Sequence, residues 1–166
     1  MTDNLNPVLP LASLALKRRE RDPGIGADET NISRGLGLTQ LGASYFEVRP
    51  GESAFHFHVH YQEDELTFVI EGEGTYRFGP DSYPVKAGDF LSAPAGRAEM
   101  AHQLVNSGTG TLKYVCVSSL PEINVVQLPE LGVLRLFSRK AGGPARLELP
   151  LTTASPTAET KRPVSS

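Results

Sequence analysis

The stretch A-F-H-F-H-V-H-Y-Q-E-D-E-L-T-F-V-I-E, residues 54–71, decides how the rest of the chain is read. Its first half alternates strictly: His56, His58 and His60 take every second position, with Phe55, Phe57 and Val59 between them. In an extended strand, side chains i, i+2 and i+4 share a face. The three imidazoles are therefore expected on one side, and Phe55, Phe57 and Val59 on the other. Five residues on, Glu65 opens the apolar run 66–70. If Glu65 points inward, Leu66, Phe68 and Ile70 point outward.

Working outward, the same texture repeats. Sixteen glycines and thirteen prolines cut the chain into short pieces rich in Val, Phe, Tyr, Leu and Thr. Strands are expected at 42–49, 54–61, 66–71, 74–78, 82–86, 89–93, 101–106, 111–118 and 133–138. Residues 79–82 and 107–110 are hairpin-turn candidates. Many short strands at close spacing predict an all-β sandwich or barrel with little helix. The only helical candidate is 11–19, stopped by Asp22-Pro23-Gly24. The ordered single domain is expected over about 11–149, after a flexible 1–10 and before a polar, disordered tail at 150–166.

Three histidines on one face followed by a carboxylate are costly to bury without a shared partner. With His102 later in the chain, they suit one divalent transition metal ion. A fully oxygen-lined Ca or Mg site, or a thiolate site, needs other residues. Cys116 is alone, so an internal disulfide is excluded, which is compatible with a reducing cytoplasmic location. A net charge of −3 gives no reason to expect nucleic acid as a partner. The apolar run 7–16 is too short for a membrane span, and its basic residues follow it, unlike a secretory signal.

The pattern H-V-H-Y-Q-E-D-E-L-T-F-V-I-E-G, residues 58–72, resembles the first conserved segment of the cupin superfamily: His-x-His, four residues, Glu, six residues, Gly. G-D-F-L-S-A-P-A-G (88–96) and H-Q-L-V-N (102–106) resemble the second. The fold the resemblance implies is a single-domain cupin jelly-roll β-barrel. Carried over by position, the metal ligands are His58, His60, Glu65 and His102, and the resident ion is Zn, Fe, Mn or Ni. One departure bears on this assignment. Five residues, 97–101, lie between Gly96 and His102 where the short cupin pattern has two, and Glu99 stands where that pattern puts histidine. We read 97–101 as a longer turn delivering His102; the rival assignment makes Glu99 the ligand.

Candidate catalytic or positioning groups are His56, Glu99 and Tyr114. His56 reads equally as a group tuning the site or as a rim histidine. Four protein ligands leave room for a small polar, oxygen-bearing molecule, and the resemblance implies dioxygenase-type or sugar isomerase/epimerase-type chemistry. The alternative is a non-catalytic small-ligand or sugar-binding sensor. No dense basic cluster is visible along the chain, which argues against a doubly charged phosphate substrate. The outward aromatic residues, and the habit of cupins of this size, imply a homodimer.

Overall fold

The structure, a computed structural model, describes residues 6–139 and 145–151. The tail expected from 150 onward therefore lies outside the described residues, apart from its first two positions.

Thirteen strands build three sheets. One has six strands in the order β1 (Lys17–Asp22), β2 (Ile25–Asn31), β3 (Leu41–Val48), β10 (Leu112–Ser119), β5 (Glu65–Glu71) and β8 (Phe90–Ala93). A second holds β7 (Asp81–Lys86), β6 (Glu73–Phe78) and β9 (His102–Val105). The third runs β13 (Ala145–Pro150), β12 (Val133–Ser138), β11 (Ile123–Leu128) and β4 (Val59–His60). Every pairing between these strands is antiparallel. Helix is confined, among the described residues, to the four-residue Ile32–Gly35, capped by the Asn31 side chain, and three short 3-10 turns. This is the all-β architecture with little helix that the strand pattern predicts, in the jelly-roll form that the resemblance implies.

Alternation along the strands fills two cores. Val48, Val69, Tyr76, Val85, Leu91, Leu112 and Tyr114 interdigitate in the main one. Val69 and Leu112 are fully buried, each contributing roughly 1.5–3 kcal/mol by burial of its side chain. A smaller core joins Phe57, Val59 and Ala101. The expected outward placement of Phe57 is therefore corrected: it is 8% exposed, with the Arg77 guanidinium over its ring at 4.4 Å. Leu66 and Phe68 do face out.

Four strands went unread, and β1 is instructive. Its sequence, K-R-R-E-R-D, has no apolar residue at all. Instead of the helical turn expected over 11–19, Leu11–Ser13 forms one 3-10 turn and Lys17 starts a strand. Cross-strand charge pairing with β2 makes this possible: Arg19 reaches Glu29 at 3.1 Å, Arg21 reaches Glu29 at 2.7 Å, and Arg18 lies 3.8 Å from Asp28. The expected strand over 54–61 shrinks to Val59–His60, preceded by a loop fastened at two points. Ser53 bridges Ile25 and Val105, and His58 bridges His102.

The turn at Gly79-Pro80 closes the β6–β7 hairpin, pairing Phe78 with Asp81. Residues 107–110, expected to close a hairpin, join β9 and β10, which lie in different sheets. Gly72 turns β5 into β6 with φ +88°, and a Cβ there would sit 2.7 Å from the Thr111 carbonyl oxygen. No other residue type fits both demands without strain.

Candidate metal centre

Four elements deliver the site. The backbone of His58 pairs both ways with that of His102, N to O at 3.0 and 2.7 Å, which brings the loop before β4 against the first residue of β9. His60 ends β4 and Glu65 begins β5. The 3-10 turn Ala98–Met100 is the longer connection expected before His102, and it sets that residue at the strand start.

The side chains converge on one carboxylate oxygen. Oε2 of Glu65 lies 3.1 Å from His102 Nε2, 3.7 Å from His60 Nε2 and 3.9 Å from His58 Nε2. One potential ligand atom each from His58, His60 and Glu65 falls within 4.8 Å of the others. The imidazoles are mutually packed, with His58 ring centroids 4.5 Å from His102 and 5.0 Å from His60.

Electrostatics favour the ligating forms of two of these groups. Burial, reinforced by His102, lowers the His58 pKa to about 3, so that ring is neutral at pH 7. Burial pushes Glu65 up, but the His102 hydrogen bond and the charges of His60, His58 and His102 outweigh it and hold the carboxyl down to about 2. The His58 tautomer is set from behind. Nδ1–H of His58 donates to the His56 carbonyl at 2.8 Å, so its Nε2 lone pair faces Glu65, the arrangement by which proteins orient imidazole ligands. His102 instead donates through Nε2–H to Glu65 Oε2 at 3.1 Å, with its Nδ1 3.3 Å from the Met100 carbonyl. His60 differs: its Nδ1 accepts from the Asn124 amide at 2.7 Å, and that amide also donates to Glu63 at 2.6 Å. Asn124 Oδ1 is buried without a partner among the described residues. Half a turn of the amide would exchange the Glu63 bond for one from His60 Nδ1–H and free Nε2. The donor set of three imidazoles and a carboxylate fits a divalent transition ion.

A cavity of about 460 Å³ opens above His58, His60 and Glu65. His56 also lines it, so the three alternate histidines face one space, but Phe55, expected on the opposite face, lines it too, because 54–58 is loop and not strand. His56 Nε2 bonds Asp22 Oδ2 at 2.6 Å, and the ring is only 17% exposed, which makes it a cavity wall and not a rim histidine. Tyr114 is buried deeper, stacked on Phe46 at 5.0 Å beside a pocket of about 40 Å³ that also touches His58, Glu65 and His102. Burial raises its pKa well above the usual phenol value, so it keeps its proton and its hydroxyl serves as a hydrogen-bonding group and not as a base. Cys116 donates weakly to Glu65 Oε1 at 3.7 Å, and burial pushes its thiol up as well.

Glu99 stands apart from this cluster. Its side chain is exposed on the 98–100 turn, and it joins none of the contacts around the imidazoles. The extra turn length carries the chain past Glu99 before it enters β9, so His102 takes the inward position. Asp22, Glu63 and Asn124 went unnoticed in the sequence, because they belong to or contact strands, β1 and β11, that carry no recognisable alternation.

The antiparallel sheets of a jelly roll bring His58, His60 and His102 around Glu65, a group that could hold a metal ion. Residues 44–118 match the cupin domain family. An uncharacterized protein of Methanocaldococcus jannaschii is 31% identical over 74 residues, 45% of this chain. The match spans 57% of that relative, just over half its length. The fold is similar to that of a sugar phosphate isomerase from a cupin superfamily, from Silicibacter pomeroyi (TM-score 0.72, 23% identity, 89% of this chain and 98% of that one). It is also similar to an Acidithiobacillus ferrooxidans protein with a provisional sugar phosphate isomerase name (TM-score 0.75, 24%, 87% and 94%). A predicted oxalate decarboxylase of Thermotoga maritima is more distant (TM-score 0.59, 21%, 69% and 99%). No helix among the described residues is long and apolar enough to cross a membrane.

Proposed function

We propose that this chain is a metal-dependent enzyme of isomerase type, acting on a small molecule with adjacent hydroxyl and carbonyl groups. The observation carrying the reading is the convergence of three Nε2 atoms on Glu65 Oε2, beneath an open cavity lined by His58, His60 and Glu65. His58, His60, Glu65 and His102 would hold one divalent ion, Zn, Fe, Mn or Ni. When bound, such an ion polarises a carbonyl or hydroxyl oxygen.

His56 moves the proton. Asp22 accepts from Nε2–H at 2.6 Å, which leaves Nδ1 to take the proton from the hydroxyl-bearing carbon and return it to the former carbonyl carbon, while the hydroxyl proton passes to the carbonyl oxygen. Val126, Leu128, Phe55 and Phe137 give the same cavity apolar walls that displace water. The structures named sugar phosphate isomerase share the fold at under 25% identity, and they are consistent with this chemistry without supplying it.

His56→Ala should lower kcat by roughly a hundredfold or more, and Asp22→Asn by about tenfold. Metal content of both should stay at the wild-type value. The readout is deuterium incorporation from D2O into hydroxy-aldehyde substrates, followed by NMR, alongside metal analysis. Loss of metal in His56→Ala equal to that in His58→Ala would make His56 a ligand and sink its role as a base. Oxygen uptake without deuterium incorporation would favour dioxygenase-type chemistry.

The exposed Leu66, Phe68 and Phe90, with the two phenyl rings 4.7 Å apart, support a homodimer through this face. Light scattering should give a mass near twice 17.9 kDa; a monomer at micromolar concentration overturns the pairing.

A further inference from the structure

We propose that the cavity above the histidines contains an oxyanion subsite formed by Arg21, Arg135 and Arg146, so that the substrate is acidic: a phosphate monoester or a carboxylate. The proposal rests on the reading that this cavity binds substrate.

The three arginines are scattered through the sequence, which is why the chain shows no basic cluster. They come from β1, β12 and β13, and the fold brings all three to the wall of one cavity. Each is fixed by part of its guanidinium only. Arg21 donates through Nη2 to Glu29 at 2.7 Å and lies flat over the Phe55 ring at 4.3 Å. Arg135 donates through Nε to Glu148 at 2.7 Å, and Arg146 donates through Nη2 to the same oxygen at 3.2 Å. A guanidinium has five N–H donors in a rigid fork. These anchors therefore hold the planes while leaving donors over, the preorganisation that bidentate recognition of carboxylate or phosphate requires.

Two further observations point to a ligand. Arg21 Nη1 is buried and has no hydrogen-bond partner among the described residues. The comparable nitrogen of Arg18 does not line this cavity and lies 3.8 Å from Asp28. The acidic groups on the same cavity are already engaged: Asp22 by His56, and Glu65 by the imidazoles. The guanidinium N–H groups left over from the Glu29 and Glu148 contacts are therefore the donors on this lining that an anion can meet. A molecule of sugar size fits about 460 Å³, with its anionic end at the arginine wall and its hydroxyls toward the histidine floor.

The test is calorimetric titration of the full chain with three probes of one skeleton: glycerol 3-phosphate, glycerate and glycerol. At least one of the two acids should bind about tenfold or more tightly than glycerol. Phosphate ahead of glycerate identifies a phosphate monoester, and the reverse order a carboxylate. The double variant Arg135→Gln, Arg146→Gln should lose most of that preference, about tenfold, with metal content unchanged. Arg21→Lys, which keeps the charge without the fork, should lose part of it and guards against a misfolded Arg21→Gln. Equal binding of the three probes, or full retention of the preference in the arginine variants, overturns the subsite. Failure of the metal reading shows separately, as metal retained in His58→Ala, a variant that leaves all three arginines in place.

Discussion

His102→Ala is expected to empty the centre of metal, with affinity falling by roughly a hundredfold or more, whereas Glu99→Ala keeps wild-type metal content. Changing groups that merely orient metal-bound histidines already costs about 10–100-fold, so removal of an imidazole facing the shared carboxylate costs at least as much. His102 Nε2 stands 3.1 Å from Glu65 Oε2, nearer than either of the other imidazoles. Its loss would also leave Glu65, 18% exposed, without its hydrogen-bond donor. Glu99 lies on the solvent side of the 98–100 turn. The measurement is metal analysis after dialysis against a weak chelator, with circular dichroism to confirm folding. Metal lost from Glu99→Ala and kept in His102→Ala would reverse the assignment.

The second large effect is structural. Asn106→Leu should destabilise the protein by about 3–5 kcal/mol, since each buried polar group left unpaired costs roughly 1–3 kcal/mol. Asn106 is fully buried. Its amide donates to the carbonyls of Val48 and Gly110, both at 2.8 Å, and its Oδ1 accepts from Gly108 N–H at 3.1 Å. Its backbone also pairs with Glu52 and Gly51. One side chain thus fastens the end of β3 and the connection into β10, with the main chain fastening the loop that leads to His58. Leucine fills similar volume and satisfies none of these groups. The exposed hydrogen bond between Thr75 and Ser107 is the control: Thr75→Ala should shift stability by no more than about 0.5 kcal/mol. Urea midpoints measure both, and equal midpoints for Asn106→Leu and wild type would refute the account.

The parts of the fold legible in the sequence were those whose burial is one-sided. In β5 and β10, inward Val69, Leu112 and Tyr114 alternate with outward groups, and the runs announced themselves within a residue or two of their observed ends. The alternating histidines were legible for the same reason, and 58–72 and 88–106 added the ligand assignment by resemblance. β1 was not legible, because nothing about K-R-R-E-R-D states that its partner strand offers Asp28 and Glu29 at matching positions. β4 was overextended, because the alternation of 54–61 survives in a loop whose backbone makes strand-like bridges at Ser53 and His58. The arginine wall was invisible for a related reason. Arg135 and Arg146 lie on the paired strands β12 and β13, and Arg21 joins them from a different sheet, so no local window contains all three.

That charged first strand has a consequence for how the protein can associate. A six-stranded sheet has two open borders, and here one is β1, with guanidinium and carboxylate groups along it, and the other is β8, where Phe90 is 69% exposed. Another chain approaching β1 edge-on would have to strip water from a row of ions before gaining a single backbone bond. The sheet therefore has a guarded border and an unguarded one, and uncontrolled lateral growth into fibrils is blocked on the first side while contact is steered to the second.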